Sequence, residues 1–173
     1  MLQVDLRELA NGPAETTGEL APDDPLFAGM DVALAEPVVV RGRLQATGEG
    51  RFYWHGTLQT VVAGECRRCL TPVRTAVKAD VGALFSQERD ALDDPDAYPF
   101  EPDAVELDVR PAVREELLLA VPRFLECRTD CRGLCPRCGM NLNERDCGHA
   151  AEGFDPRLAP LRHLKDLGIV KEE

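Results

Sequence analysis

The chain has no run approaching the roughly 18 consecutive apolar residues that a membrane-spanning helix needs, which excludes a helical membrane protein. Its first residues, Met1-Leu2-Gln3-Val4-Asp5-Leu6-Arg7, lack a basic stretch followed by an apolar one, so the expectation is a cytoplasmic protein. Aromatic residues are scarce, with six Phe, two Tyr and one Trp, and there are only three histidines. Nucleotide-binding G-x-G-x-x-G and Walker loops are missing, as are His-Glu-x-x-His and G-x-S-x-G. A zinc deaminase would need His-x-Glu and then Pro-Cys-x-x-Cys. Here His55 is followed by Gly56-Thr57, His149 by Ala150-Ala151, and Leu134 precedes Cys135. The protein is therefore not expected to be an enzyme or to have a small-molecule substrate.

What the chain does have is ordinary globular composition, 44% hydrophobic and 29% charged over 173 residues, enough to bury a core. The net charge is −11, which taken whole argues against a nucleic-acid partner. Divided by segment it says something else. Residues 1–36 sum to −7 and residues 80–108 to −9, whereas residues 37–79 carry +5 and the remainder sums to zero.

The basic stretch also alternates as strands do. Val38, Val40, Leu44 and Ala46 interleave with Val39, Arg41, Arg43 and Gln45; Phe52, Trp54, Leu58 and Val62 interleave with Tyr53, His55, Thr57 and Gln59. A three-residue loop, Gly48-Glu49-Gly50, puts both apolar sets on one side, with a glycine available for a left-handed position. A third strand over 73–85 turns Val73, Val77, Val81 and Phe85 inward and Arg74, Lys78 and Asp80 outward. Residues 88–104, rich in Asp and Pro, read as an exposed loop. A short strand over 105–109 precedes a helix from about Arg110 to Val121, with Asp108 as its cap and Val113, Leu117, Leu118 and Val121 as its apolar face. The first 36 residues offer one amphipathic element in 2–10 and then a loop, and leucines at three-residue steps predict a last helix over about 155–167. The expected fold is α+β: an antiparallel β meander packed against a central helix, with a C-terminal Cys-rich zinc knuckle and a final helix. The expected divisions are 1–126, 127–149 and 150–173.

The seven cysteines cannot all pair with one another, and their clustering suits a metal or thiol chemistry. Cys66-Arg-Arg-Cys69 falls at a strand junction, and Cys135-Pro-Arg-Cys138-Gly139 is the sharper signal, since such a turn lets two thiolates approach one ion. Cys127, Cys131, Cys147 and His149 stand around it. A local site would use Cys131, Cys135, Cys138 and His149, with Cys127 and Cys147 as alternates. A bridging or second site would draw on Cys66 and Cys69. The local set closes shorter loops and is preferred, although each doubling of loop length costs only about 0.6 kcal/mol. So many sulfurs favour a closed structural ion, zinc or iron, over a catalytic one, and two ions are arithmetically available. A thiol redox switch is the competing reading.

Arg41, Arg43, Arg74 and Lys78 are expected to share the outward sheet face with Tyr53 and His55, and Arg67 and Arg68 extend it into the first cysteine pair. Cations beside rings that can stack on bases are what RNA recognition on a sheet uses. An ordinary solvated face accounts for them equally well.

The combination of Cys66-Arg-Arg-Cys69-Leu70, a long acidic stretch, Glu115-Glu116-Leu117-Leu118-Leu119-Ala120-Val121-Pro122, Cys131-Arg-Gly-Leu-Cys135-Pro-Arg-Cys138-Gly-Met-Asn141-Leu142-Asn143 and Asp155-Pro156-Arg157-Leu158-Ala159 resembles the bacterial YceD family. The resemblance covers nearly the whole chain. It implies a factor for accumulation of 23S ribosomal RNA, acting by binding precursor RNA or a pre-50S particle, and it brings no catalytic residue. His149 stands where many members have a cysteine, which leaves the fourth ligand open. A protein-binding adaptor for ribosomal proteins is the alternative of another class.

Overall fold

The computed structural model describes residues 1–48, 50–87 and 97–149. Residues 88–96 of the expected loop and the expected last helix lie outside the described residues. The described fold is mixed α+β, mostly sheet with one helix.

Its centre is three long strands that pair consecutively and antiparallel: β4 (Val38–Gly48), β5 (Arg51–Glu65) and β6 (Pro72–Ser86). Val40 lies opposite Leu58 and Ala46 opposite Phe52, the register that a three-residue loop enforces. The register shifts by one beyond Ala46, and Gly50 adopts φ of 64°, a left-handed value that a glycine takes without steric cost. Val38, Val40, Leu44, Trp54, Leu58, Val62, Val77, Val81 and Phe85 all face one buried cluster, while the alternate residues face outward.

The amino-terminal segment, expected to hold one element and a loop, instead contributes three strands. β1 (Gln3–Asp5) pairs with β8 (Glu106–Asp108) as a separate two-stranded sheet. β2 (Ala14–Leu20) adds to the free edge of β4, and β3 (Ala33–Leu34) pairs with the far end of β5. β2 escapes a hydropathy reading because only Thr16 and Leu20 of its seven residues are buried, and one of them is polar. Thr16 is buried because Trp54 Nε1 donates to its hydroxyl at 2.8 Å. The indole lies against the paired glycines Gly42 and Gly56, where a Cβ would come within 2.7 Å of the ring. These two glycines exist to admit the tryptophan.

Residues 97–104, expected as loop, include β7 (Ala97–Pro99), which runs parallel to the end of β6. Phe100 meets Phe52 at a ring separation of 5.6 Å, and Tyr98 meets Phe85 at 5.3 Å. The helix α1 (Arg110–Ala120) sends Ala112, Val113 and Leu117 into the main core. Asp108 Oδ1 accepts the Arg110 N–H at 3.0 Å, so the expected carboxylate stands at the helix start. Leu118, expected on the apolar face, is instead 40% exposed. With Leu119, Val32 and Met30 it lines a surface groove beside the helix end. Among the described residues no helix is long and apolar enough to cross a membrane.

Candidate functional site

The β5–β6 hairpin and the segment after α1 meet where Arg67 N–H donates to the Leu125 carbonyl at 2.9 Å. Cys66 and Cys69 lie in the hairpin turn, and Cys127 and Cys131 follow Leu125. One ligand atom from each of the four lies within 4.8 Å of the others. The Cys66 and Cys131 sulfurs are 3.9 Å apart and those of Cys69 and Cys127 3.6 Å. Two thiolates on a tetrahedral zinc with bonds of about 2.3 Å stand about 3.8 Å apart, so the spacing suits one shared ion.

A second group of Cys135, Cys138, Cys147 and His149 meets the same limit, with Cys135 Sγ 3.7 Å from His149 Nδ1. All seven cysteines are free of disulfides. Either group can therefore hold a metal ion.

The two Cys-x-x-Cys turns are copies of one structure. In the first, Leu70 N–H donates to the Cys66 carbonyl at 2.9 Å and Cys66 N–H to the Thr71 carbonyl at 2.9 Å. In the second, Gly139 N–H donates to the Cys135 carbonyl and Cys135 N–H to the Met140 carbonyl, both at 2.8 Å. Such a turn aims its N–H groups at the leading sulfur. The Cys127 N–H draws the Cys66 thiol down to about 6, helped by the N–H groups of Arg68 and Cys69 and opposed by burial. The N–H groups of Cys138 and Arg137 draw Cys135 down to about 6. Desolvation of its sulfur, together with hydrogen bonds to Cys131, Cys69 and Cys66, pushes Cys127 up to about 12. In the first group, backbone N–H groups favour the thiolate of Cys66, while desolvation favours the protonated form of Cys127.

The eight candidates divide differently from the expected local set. Cys131 joins Cys66, Cys69 and Cys127, while Cys135, Cys138 and His149 join Cys147. Three residues separate Cys131 from Cys135, and they turn the chain. Leu134 N–H donates to the Arg68 carbonyl, Leu134 pairs with Asn141, and Gly133 takes φ of 73° with its Cα side hard against Arg68. Loop length is a weak guide to this grouping, because folding of the β5–β6 hairpin already brings Cys66 and Cys69 to the segment after α1. The sequence signal for this grouping is the Cys127-x3-Cys131 pair, which makes two sets of four out of the eight candidates.

On the outer sheet face, Arg41, Arg43, Tyr53, His55, Arg74 and Lys78 all point outward and are exposed. Arg43 sits opposite His55, and Lys78 opposite Gln59. The Tyr53 ring leans over Gly82, where a Cβ would meet its hydroxyl at 2.4 Å. The face is less basic than residues 37–79 imply, because Asp80 lies on it opposite Thr57 and other segments bring acids to its rim. Glu15 on β2 stands 3.9 Å from Arg43, Glu36 pairs with Arg74 at 2.8 Å, and Glu126 pairs with Arg67 at 2.7 Å. Arg67 also lies over the exposed Phe124 ring at 5.1 Å. Arg68 stays exposed in the first cysteine turn.

The family model described as large ribosomal RNA subunit accumulation protein YceD matches residues 54–165. An uncharacterised protein of Mycobacterium tuberculosis (strain ATCC 25618 / H37Rv) is 35% identical over 121 residues, covering 69% of this chain and 58% of the relative. The chloroplastic large ribosomal RNA subunit accumulation protein YCED homolog 1 of Arabidopsis thaliana is 27% identical over 145 residues, 68% of this chain and 45% of the relative. An uncharacterised protein of Bacillus subtilis (strain 168) is 28% identical over 139 residues, 78% of this chain and 77% of the relative. The chain thus spans about half the length of several relatives it matches, and no solved structure matches it. The matched region holds nearly all of β5, all of β6, the helix and every residue of both sulfur groups, and on that match the chain belongs to the YceD family.

Proposed function

We propose that the protein is a non-enzymatic ribosome-biogenesis factor that supports accumulation of large-subunit ribosomal RNA by binding the precursor RNA or an assembling large-subunit particle in the cytoplasm. The observation that carries this reading is the family match, which spans the β5–β6 hairpin and both sulfur groups. Each sulfur group takes one structural zinc. Four thiolates, or three thiolates and an imidazole, fill a tetrahedral zinc and leave no place for water or substrate, which suits a staple and not a catalyst. The first centre then fixes the end of the sheet to the segment after α1.

RNA contact is assigned to the outer face of β4, β5 and β6. Arg41, Arg43 and Lys78 meet phosphates, Tyr53 and His55 stack on unpaired bases, and Arg68 extends the surface at the cysteine turn. Arg67 and Arg74 contribute less, because Glu126 and Glu36 engage them at 2.7 and 2.8 Å, whereas Glu15 stands 3.9 Å from Arg43. The rim acids limit non-specific attraction, so binding depends on bases that reach the rings as well as on phosphates.

The test is a titration of the zinc-loaded chain with fragments of precursor large-subunit RNA at several salt concentrations. The triple substitution Arg41→Ala, Arg43→Ala and Lys78→Ala is expected to lower affinity by about tenfold or more and to reduce the salt slope by up to about three. Equal affinity and slope in the triple variant would remove this face from the account.

A further inference from the structure

Asn143 belongs to the loop between Cys138 and Cys147, which the second centre closes at both ends, yet its side chain serves the first centre. Its Nδ2 lies 3.3 Å from the sulfur of Cys131. The orientation of the amide is fixed by its surroundings. Oδ1 accepts the Arg132 N–H at 2.8 Å and a guanidinium N–H of Arg128 at 2.9 Å, so only the NH2 end is left for the sulfur. Nδ2 also donates to Asn141 Oδ1 at 2.8 Å, and the Asn143 N–H donates to the same oxygen at 3.0 Å. Leu142 N–H to the Gly133 carbonyl and the Leu134 to Asn141 bridge pin the rest of the loop to the short segment between Cys131 and Cys135.

We infer that Asn143 couples the two centres: zinc in the second centre holds the 139–146 loop in place, and that loop delivers an N–H donor to a thiolate of the first. This rests on the two-zinc reading above. A zinc with four thiolates carries a net charge of −2, and an N–H aimed at one sulfur spreads part of that charge and slows loss of the ligand. Donors of this kind are worth about 10–100-fold in metal affinity. Without the second ion, Cys138 and Cys147 are untied, and only the bonds to Gly133, Leu134 and Arg132 remain to hold the loop, so the donor is held less firmly against the Cys131 sulfur. Because coupling between binding sites is reciprocal, an occupied first centre also favours loading of the second. Asn143 is therefore a positioning residue for a metal it does not touch.

The test uses the full chain loaded with cadmium-113, whose NMR resonance separates a four-sulfur site from a three-sulfur, one-nitrogen site, together with zinc release to a chromophoric chelator. Wild type is expected to show two resonances. Asn143→Ala should shift the four-sulfur resonance, leave the other in place, and speed release from the first centre by about 10–100-fold. The double variant Cys138→Ser, His149→Ala should lose the second resonance and show the same faster release from the first centre. An unchanged four-sulfur resonance and release rate in both variants would overturn the coupling while leaving two centres standing. A single resonance in wild type would overturn the two-centre reading itself.

Discussion

Leu70 and Gly139 occupy the same place in two copies of one turn, at φ of 58° and 71°. The left-handed region costs a side chain such as leucine roughly 1–2 kcal/mol, and glycine nothing. Leu70 is also 56% exposed, so burial does not offset that strain. Leu70→Gly is expected to raise the thermal midpoint, by a free energy of up to about 1 kcal/mol once the greater freedom of glycine in the unfolded chain is allowed for. Gly139→Ala should lower it by about 1–2 kcal/mol. Thermal melts of the zinc-loaded variants check both signs.

Trp54 and Thr16 hold the edge strand β2 to the sheet. Trp54→Phe removes the donor and strands a buried hydroxyl, for an expected loss of about 1–3 kcal/mol. Gly42→Ala should cost a similar roughly 1–3 kcal/mol for a different reason, since the new methyl would push the indole out of its seat. Denaturant melts measure both. Little loss in either would mean that the ring can move aside.

The start of α1 gives a pH signature. Burial raises the Asp108 carboxyl, but the Arg110 guanidinium and N–H outweigh it and hold the group below its ordinary value near 3.8. A lowered carboxylate contributes stability above its unfolded value, and that contribution is lost as pH falls through the lower folded value. Asp108→Asn removes the charge beside Arg110 and the helix start, so it should cost roughly 0.3–1 kcal/mol at pH 7 and flatten the acid limb of the stability curve below about pH 4. Melting midpoints across pH 2–7 report the difference.

Metal removal should affect the two centres unequally. The first group joins the sheet hairpin to the segment after α1, and three of its four cysteines are buried, all but Cys127; in the second only Cys135 is buried. Cys66→Ser is thus expected to lower the melting midpoint far more than Cys138→Ser. Equal drops would place the second centre as firmly in the fold as the first.

Much of this was legible beforehand, and the gaps have physical causes. Alternation identified β4, β5 and β6, and the pairing of Val40 with Leu58 followed from parity alone. β2 was illegible because its inward partner to Trp54 is a threonine, which reads as polar until the indole N–H is seen to satisfy it. β7 was hidden by the acidic, proline-rich sequence before it. At the site, spacing identified all eight ligand candidates but not their division, because the local geometry of Gly133 and Leu134 decides which way Cys131 faces. The charge of the outer face was overread, since Glu15, Glu36 and Glu126 come from segments that sequence order keeps apart.

The most direct test of the two zinc centres is the zinc-to-chain ratio by native mass spectrometry of protein purified without chelator. The account predicts two zinc ions in wild type and one in Cys66→Ser, retained by the Cys135, Cys138, Cys147 and His149 group. One ion in wild type that survives unchanged in Cys66→Ser would contradict it.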